Sequence, residues 1–276
     1  MSATPVLAAG AGPRSAARTA VEPVTLRRVV ASEWLKFRTL RSTLAVLAAA
    51  VVGMVGIGLI VAYNTRTITP QIDPNDRVQS ATLQGYYLGQ LLIGALGVLF
   101  VSGEYSTGMT RSTFSAVPRR LPVLWAKLIV FAAVTAVAMI AASVVAFVSA
   151  QALISGSRPG YSLTDPGVLR VVIGTGLYLT MLGVIGGALA WIVRSTPGSL
   201  VAYLGLVLVI PVLFGTVLGN WGKHVAEVLP SSAGGAFVQT LPEQPALSPW
   251  TGLAVLVAWT VAAVALAALQ LRRRDT

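Results

Sequence analysis

The chain has 276 residues, of which 55% are hydrophobic and 11% are charged, and its formal net charge is +11. A water-soluble domain of this length does not need so much apolar sequence, so the composition indicates a membrane protein. The chain holds no cysteine, which excludes disulfide bonds, thiol catalysis and cysteine-based zinc sites.

Residues 1–23 are rich in Ala, Pro, Gly and Arg and lack an apolar core. This composition predicts a disordered tail, because it cannot bury enough apolar surface to offset the entropy of folding. It does not predict a signal peptide, since no hydrophobic region follows within reach.

Residues 24–41 have the periodicity of an amphipathic helix. One arc of about 140° carries the apolar side chains Leu26, Val29, Val30, Trp34, Phe37 and Leu40. Glu33 also falls in that arc, so its carboxylate needs a cation or donors nearby, and a basic residue of 102–123 is the expected partner. A basic helix with aromatic side chains on its apolar face is typical of the headgroup layer. The pattern fits a plain lipid anchor and also a lever that contacts a cytoplasmic partner.

Six apolar segments of about 20 residues or more follow, and at 1.5 Å per residue each can cross a hydrocarbon core. They are 43–63, 83–101, 124–150, 171–193, 199–218 and 250–271. In lipid the backbone must satisfy its own hydrogen bonds, so uninterrupted segments of this length are helices. The sequence therefore predicts an all-α polytopic protein, with a six-helix transmembrane domain at 42–271 and a basic tail at 272–276.

The charges divide unequally between the two sides of the predicted spans. The N-terminal tail, the loop 102–123, the connection 194–198 and the C-terminal tail hold 15 basic and four acidic residues when Lys127 is counted with them. The other connections hold five of each sign. The positive-inside rule then places both termini in the cytoplasm. Because the positive charge is accounted for by anionic lipid headgroups, no nucleic-acid partner is expected.

Small residues and one proline mark places where the predicted helices pack closely or bend. Three glycine pairs have the spacing that lets membrane helices approach each other: Gly85/Gly89, Gly183/Gly187 and Gly215/Gly219. Pro211 lies inside the fifth span and should kink it or free a carbonyl near Val207.

Three segments carry a family resemblance. They are SEWLKFRTLRST before the first span, GEYSTGMTRSTFSAVPRR after the second, and LPSSAG before the sixth. Together they resemble the permease subunits of type-2 ABC exporters, especially actinobacterial members in which an E-Y-x-x-G-[TM]-x-R loop recurs. The resemblance covers essentially all of 24–274.

The resemblance implies roles for several groups of residues. A connecting helix along the inner leaflet would include Glu33, Trp34, Phe37 and Arg38. A coupling helix at 104–115 would dock on an ATPase, with contacts or internal bracing from Glu104, Tyr105, Arg111 and Phe114. The second and fifth helices would line the substrate pathway, with candidate contacts at Gln90, Tyr203 and Phe214. Residues 220–249 would form a lid-like outer region, and the mostly apolar lining favours a lipophilic or amphipathic substrate.

The energy source is expected on a partner. No GxxxxGK[ST] phosphate loop occurs, and Gly222-Lys223-His224 lacks both the leading glycine and the hydroxyl. The predicted protein is therefore not an enzyme and needs no cofactor or metal. It would bind cytoplasmic ABC ATPase subunits, pair with a second permease copy or a paralogue, and reside with membrane lipid in the bacterial cytoplasmic membrane.

Other classes of function stay open at this stage. An ion-coupled secondary transporter usually holds ionisable groups at the bilayer midplane, whereas no carboxylate lies in the middle of a predicted span. An intramembrane enzyme is disfavoured because His224, the only histidine, lies in an outer loop without a convincing serine partner. A non-transporting scaffold or immunity protein remains a further alternative.

Overall fold

A computed structural model describes residues 25–68, 82–106, 121–155, 161–239 and 247–273. The predicted tail at 1–23 and the last three residues of the tail at 272–276 lie outside these ranges. All regular structure within them is helical, which confirms the all-α prediction.

The described ranges contain ten α-helices, and the fifth span includes a π-helical segment. In chain order the helices are α1 (Leu26–Thr39), α2 (Arg41–Ile68), α3 (Tyr86–Ser106), α4 (Leu121–Ile154), α5 (Val168–Val193), α6 (Thr196–Leu204), the π-helical segment (Gly205–Val209), α7 (Ile210–Thr216), α8 (Gly219–Glu227), α9 (Pro230–Val238) and α10 (Pro249–Arg273). Six helical stretches are long and apolar enough to cross a membrane: α2, α3, α4, α5, the continuous α6–α7 stretch and α10. The predicted six-helix bundle is thus the observed architecture.

Helix α5 is the centre of the bundle. In the most apolar part of α5, 72% of the residues are buried, whereas the corresponding share is 17% in α10 and 17% in the α6–α7 stretch. It packs against α3, α4 and α10, while the outer helices expose apolar side chains. Such exposure is expected of helices that face lipid, because hydrocarbon solvates an apolar side chain as well as a protein core does.

Glycines allow α3 and α5 to cross with their backbones in contact. A Cβ atom on Gly97 would overlap the carbonyl oxygen of Gly183, and one on Gly186 would lie 2.5 Å from the carbonyl oxygen of Gly94. Of the predicted pairs, Gly183/Gly187 therefore lies at this crossing, and Gly85 lies against the backbone of Met54 in α2. In the third pair, Gly219 instead opens α8 with a positive φ of 66°.

The fifth span departs from a regular α-helix beside its proline. Residues Gly205–Val209 form a π-helical turn immediately before Pro211, the second residue of α7. Proline cannot donate a backbone hydrogen bond and its ring crowds the preceding turn, so the helix widens there.

The region predicted to be lid-like contains two short helices, α8 and α9. Six of the nine residues of α9 are buried, and the ring of Tyr178 in the middle of α5 lies where a Cβ of Gly234 would be. The guanidinium of Arg170 donates to the carbonyl oxygens of Phe237 and Gln239, at the C-terminal end of α9. Helix α9 is therefore part of the bundle rather than a surface loop.

Candidate functional site

Four charged side chains meet where α1, the end of α3 and the start of α4 come together. This four-charge cluster consists of Glu33, Lys36, Glu104 and Lys127. Nζ of Lys36 donates to Oε1 of Glu33 at 2.6 Å and to Oε1 of Glu104 at 2.8 Å. Nζ of Lys127 donates to the same Glu104 oxygen at 3.0 Å and lies 2.7 Å from Oε2 of Glu33, an ion pair by distance without hydrogen-bond geometry. The four groups form a closed ring of alternating sign.

Local helix geometry brings the ring together. Glu33 and Lys36 are three residues apart on α1, so they project from neighbouring turns of one face. Glu104 lies in the last turn of α3 and Lys127 in the second turn of α4. The Lys127 ammonium also stands 4.3 Å from the centre of the Phe100 ring, whose face attracts a cation.

Burial makes these pairings obligatory. Glu33 is 0%, Lys127 1% and Glu104 8% exposed, and an isolated charge at such a depth would be very costly. The partly exposed Lys36 completes the charge balance. Burial alone would lower the pKa of Lys36, but hydrogen bonds and charge from Glu104 and Glu33 outweigh it and raise that pKa above its usual value.

The apolar arc of α1 divides into two surfaces. Val29, Glu33 and Phe37 are buried against the bundle, and the Phe37 ring meets that of Phe100 edge-on at 5.1 Å. Leu26, Trp34 and Leu40 on the same arc are about half exposed, as is typical of side chains that enter a headgroup layer. Arg38 is exposed.

Glu33 has the cations that its position requires. Its partners in the described ranges are Lys36, on its own helix, and Lys127, which follows the range 102–123. The basic residues within that range, Arg111, Arg119 and Arg120, lie outside the described residues.

The remaining residues predicted for coupling lie at the same end of the bundle or outside the described ranges. Tyr105 meets Trp191 edge-on at 5.8 Å, and the Arg194 guanidinium lies 6.0 Å from its ring. Arg111 and Phe114 fall in the undescribed stretch 107–120.

A cavity of about 590 Å³ opens at the opposite end, between α3, α5, the fifth span, α8 and α9. We call it the tyrosine cavity, after the three tyrosines in its lining. Its aromatic and polar lining includes Tyr86, Tyr87, Gln90, Tyr178, Glu227 and Ser231. Inside it, the hydroxyl of Tyr178 donates to Oε1 of Gln90 at 2.6 Å. A volume of this size is typical of small-molecule sites.

The three residues predicted for the substrate pathway occupy different positions. Gln90 lines the tyrosine cavity. Tyr203 is fully buried behind its wall, where its hydroxyl donates to the backbone oxygen of Gln90 at 2.7 Å. Phe214 packs edge-on against Trp221 at 5.9 Å and is not among the lining residues.

Three polar residues of the cavity were not singled out from the sequence. Tyr178 carries a hydroxyl group in the middle of an apolar span, and a polar group at such a position could have been recognised from the sequence as a candidate site residue. Ser231 lies in the LPSSAG segment and Glu227 precedes it at the end of α8. Their convergence depends on α8 and α9 folding onto the bundle.

The six apolar helices and the paired charges at one end of them define a multi-pass α-helical membrane protein. Comparison with protein-family models and with curated proteins gave no match for this chain.

Proposed function

We propose that this chain is the permease subunit of an ATP-driven ABC exporter of the bacterial cytoplasmic membrane. It would pair with a second copy or a paralogue and couple to separate cytoplasmic ATPase subunits. The observation that carries the proposal is the four-charge cluster. It ties α1 to the two residues, Glu104 and Lys127, that flank the stretch 107–120.

The cluster connects the end of α3 with α1 and with the start of α4, on either side of that stretch in the sequence. Glu104 belongs to the resembling segment GEYSTGMTR, which an ATPase would contact. Because Glu104 holds Lys36 on α1 and Lys127 on α4, a displacement of the stretch would move three helices together. Transport then requires two arrangements of the bundle that differ by only a few kcal/mol.

The positions of the acids support an external energy source. The described acidic residues are Glu33, Glu104, Asp165 and Glu227, and each lies at a helix end, in the interfacial helix or in a connection. None of them lies in the middle of a described span. A carrier driven by protons or sodium ions usually binds the driving ion at that depth.

Co-purification followed by an activity assay tests the proposal. The full chain is expressed with the product of a neighbouring reading frame that encodes a phosphate loop, extracted in mild detergent and reconstituted. We expect equal amounts of the two proteins, and ATP turnover higher in vesicles that contain both than with the ATPase alone. Arg111→Ala should lower that stimulation at least about 10-fold if it removes one charged docking contact, whereas Arg119→Ala in the same connection serves as the matched control.

Two results would contradict the proposal. If vesicles that contain this polypeptide alone accumulate a solute in response to a pH or sodium gradient, the chain is a secondary transporter. If wild-type and Arg111→Ala complexes show the same stimulation, the proposed docking contact is wrong.

A further inference from the structure

The wall of the tyrosine cavity holds two buried polar atoms that have no hydrogen bond in the described part of the chain. Oε1 of Glu227 and Oγ of Ser231 are both shielded from solvent and have no partner there. Both residues line the cavity. Buried polar atoms are normally paired, so two such atoms in one cavity need an explanation.

Gln90 adds a donor to the same cavity. This residue is 5% exposed, and its side-chain oxygen accepts the hydrogen bond from Tyr178. An amide has two further N–H donors, and these have no partner in the described ranges. Tyr86 and Tyr87, whose ring centres are 4.1 Å apart, complete an aromatic wall beside it.

We propose that the tyrosine cavity binds lipophilic amines, that is, amphiphiles with an apolar body and a protonated amine. The ammonium donates to Oε1 of Glu227 and to Oγ of Ser231, and the Gln90 amide can donate to an oxygen where the amphiphile carries one beside its amine. The apolar body lies against the tyrosine rings and against Val207, Leu208, Pro211 and Val212.

The basic groups near Glu227 are exposed, whereas its carboxylate oxygen Oε1 is buried. His224 is the nearest described basic group, with Nδ1 3.8 Å from Oε2 of Glu227, and its side chain is 74% exposed. Lys223 at the rim is exposed too. Water screens these exposed groups, whereas the buried Oε1 lies in a less polar environment, where its attraction to a ligand cation is stronger.

Binding at this site does not require transport. The further reading that such amines are the exported substrate rests on the proposed function. The test therefore measures binding to the purified chain without an ATPase.

The probes are three dansyl-labelled chains that differ only in the head group: undecylamine, undecanol and undecanoic acid. Each is titrated into nanodiscs that contain the full chain, and empty nanodiscs correct for partition into lipid. We expect the amine to bind at least about 10-fold more tightly than the alcohol, and the acid to bind most weakly. Equal affinity for amine and alcohol, or a preference for the acid, would overturn the proposal.

Two pairs of variants locate the binding. Glu227→Gln should reduce amine affinity about 10-fold and leave alcohol affinity within about 2-fold, because it removes charge but keeps shape. Asp165→Asn removes an acid near the start of α5, outside the cavity, and should change neither. An unchanged amine affinity in Glu227→Gln would show that the carboxylate is not the anchor.

A cavity-filling variant keeps the test decisive if Glu227→Gln does not fold. Gly235 lines the cavity, and a Cβ added there meets no described atom within 4 Å, so Gly235→Leu should occupy the space without a clash. It should abolish amine and alcohol binding alike. Gly56→Leu, also free of contacts but on α2 outside the cavity, is the matched control and should bind as the wild type does. Amine binding retained in Gly235→Leu would place the site elsewhere.

The two proposals fail separately. Loss of selective amine binding leaves the ATPase co-purification result untouched, and an absent ATPase partner leaves amine binding to be measured.

Discussion

The four-charge cluster and the tyrosine cavity both place polar groups among apolar helices, but they satisfy those groups differently. In the cluster each charge has an opposite charge within 3.0 Å. In the cavity, Glu227 and Ser231 keep polar atoms without a partner in the described ranges. The cluster is balanced in charge, although Oε2 of Glu33 accepts no hydrogen bond, and balanced ion pairs hold together the helices that share them. Unpaired polar atoms beside a cavity leave capacity for a ligand. The difference assigns bracing to one end of the bundle and binding to the other.

Removal of Lys127 should break the cluster most severely. In Lys127→Met the carboxylates of Glu33 and Glu104 share the single ammonium of Lys36, so one negative charge in the protein is left uncompensated. We expect the free energy of unfolding to fall by about 3–5 kcal/mol, the usual effect of breaking a buried pair. Unfolding in mixed detergent micelles measures it. Arg27→Met, which removes an exposed charge from α1, should change stability by less than about 0.5 kcal/mol. Similar losses in both variants would contradict the comparison.

Glu33→Gln tests whether the cluster behaves as one unit. The amide keeps the shape of the side chain but loses its charge-assisted bonds, so we expect a loss of about 1.5–3 kcal/mol. In the double variant Glu33→Gln/Lys127→Met the losses should not add, because each change removes the partner of the other. Strict additivity in the same unfolding assay, or an unaltered stability in Glu33→Gln alone, would show that Glu33 is not braced by the ring.

Gly97→Ala tests the crossing that joins the two ends. The new methyl group would overlap the carbonyl oxygen of Gly183, and a backbone atom has little room to move, so α3 and α5 must separate. Overpacking of this kind costs about 1–3 kcal/mol. Gly56→Ala has no described atom near its Cβ and should be neutral or stabilising by up to about 1 kcal/mol. Equal stability of the two variants would mean that the crossing tolerates a looser fit.

Tyr203→Phe should have the smallest effect, because it removes a single hydroxyl behind the cavity wall. The hydrogen bond to the backbone oxygen of Gln90 is lost, and about 0.5–1.5 kcal/mol of stability with it. Thermal unfolding measures the loss. If stability fell as much as in Lys127→Met, the four-charge cluster and the tyrosine cavity would not differ in the way proposed.

The six spans were predictable because length and hydropathy alone require helices in lipid. The requirement of Glu33 for a cation was predictable too, since a carboxylate on an apolar arc cannot remain unpaired. The identity of that cation was not, because Lys127 is 94 residues away and reaches Glu33 only through the packing of α1 on α4. Similarly, Pro211 indicated an irregular helix in the fifth span but not that the irregularity is a π-helical segment.

The cavity was harder to foresee, for a different physical reason. Glycine and serine in α9 read as loop residues by propensity, yet their small side chains are what lets this segment enter the bundle beside Tyr178. Gln90, Tyr178 and Glu227 come from three separate parts of the chain. Only tertiary packing makes them neighbours, so the sequence pointed to Gln90 singly and not to the site as a whole.

Helix α3 carries a residue of each region, Gln90 near its first turn and Glu104 in its last. The two residues are 14 positions apart, which is about 21 Å at the rise of an α-helix. Because a continuous α-helix changes its length very little, an axial shift of the Glu104 end would shift Gln90 by the same distance, without a relay of side chains.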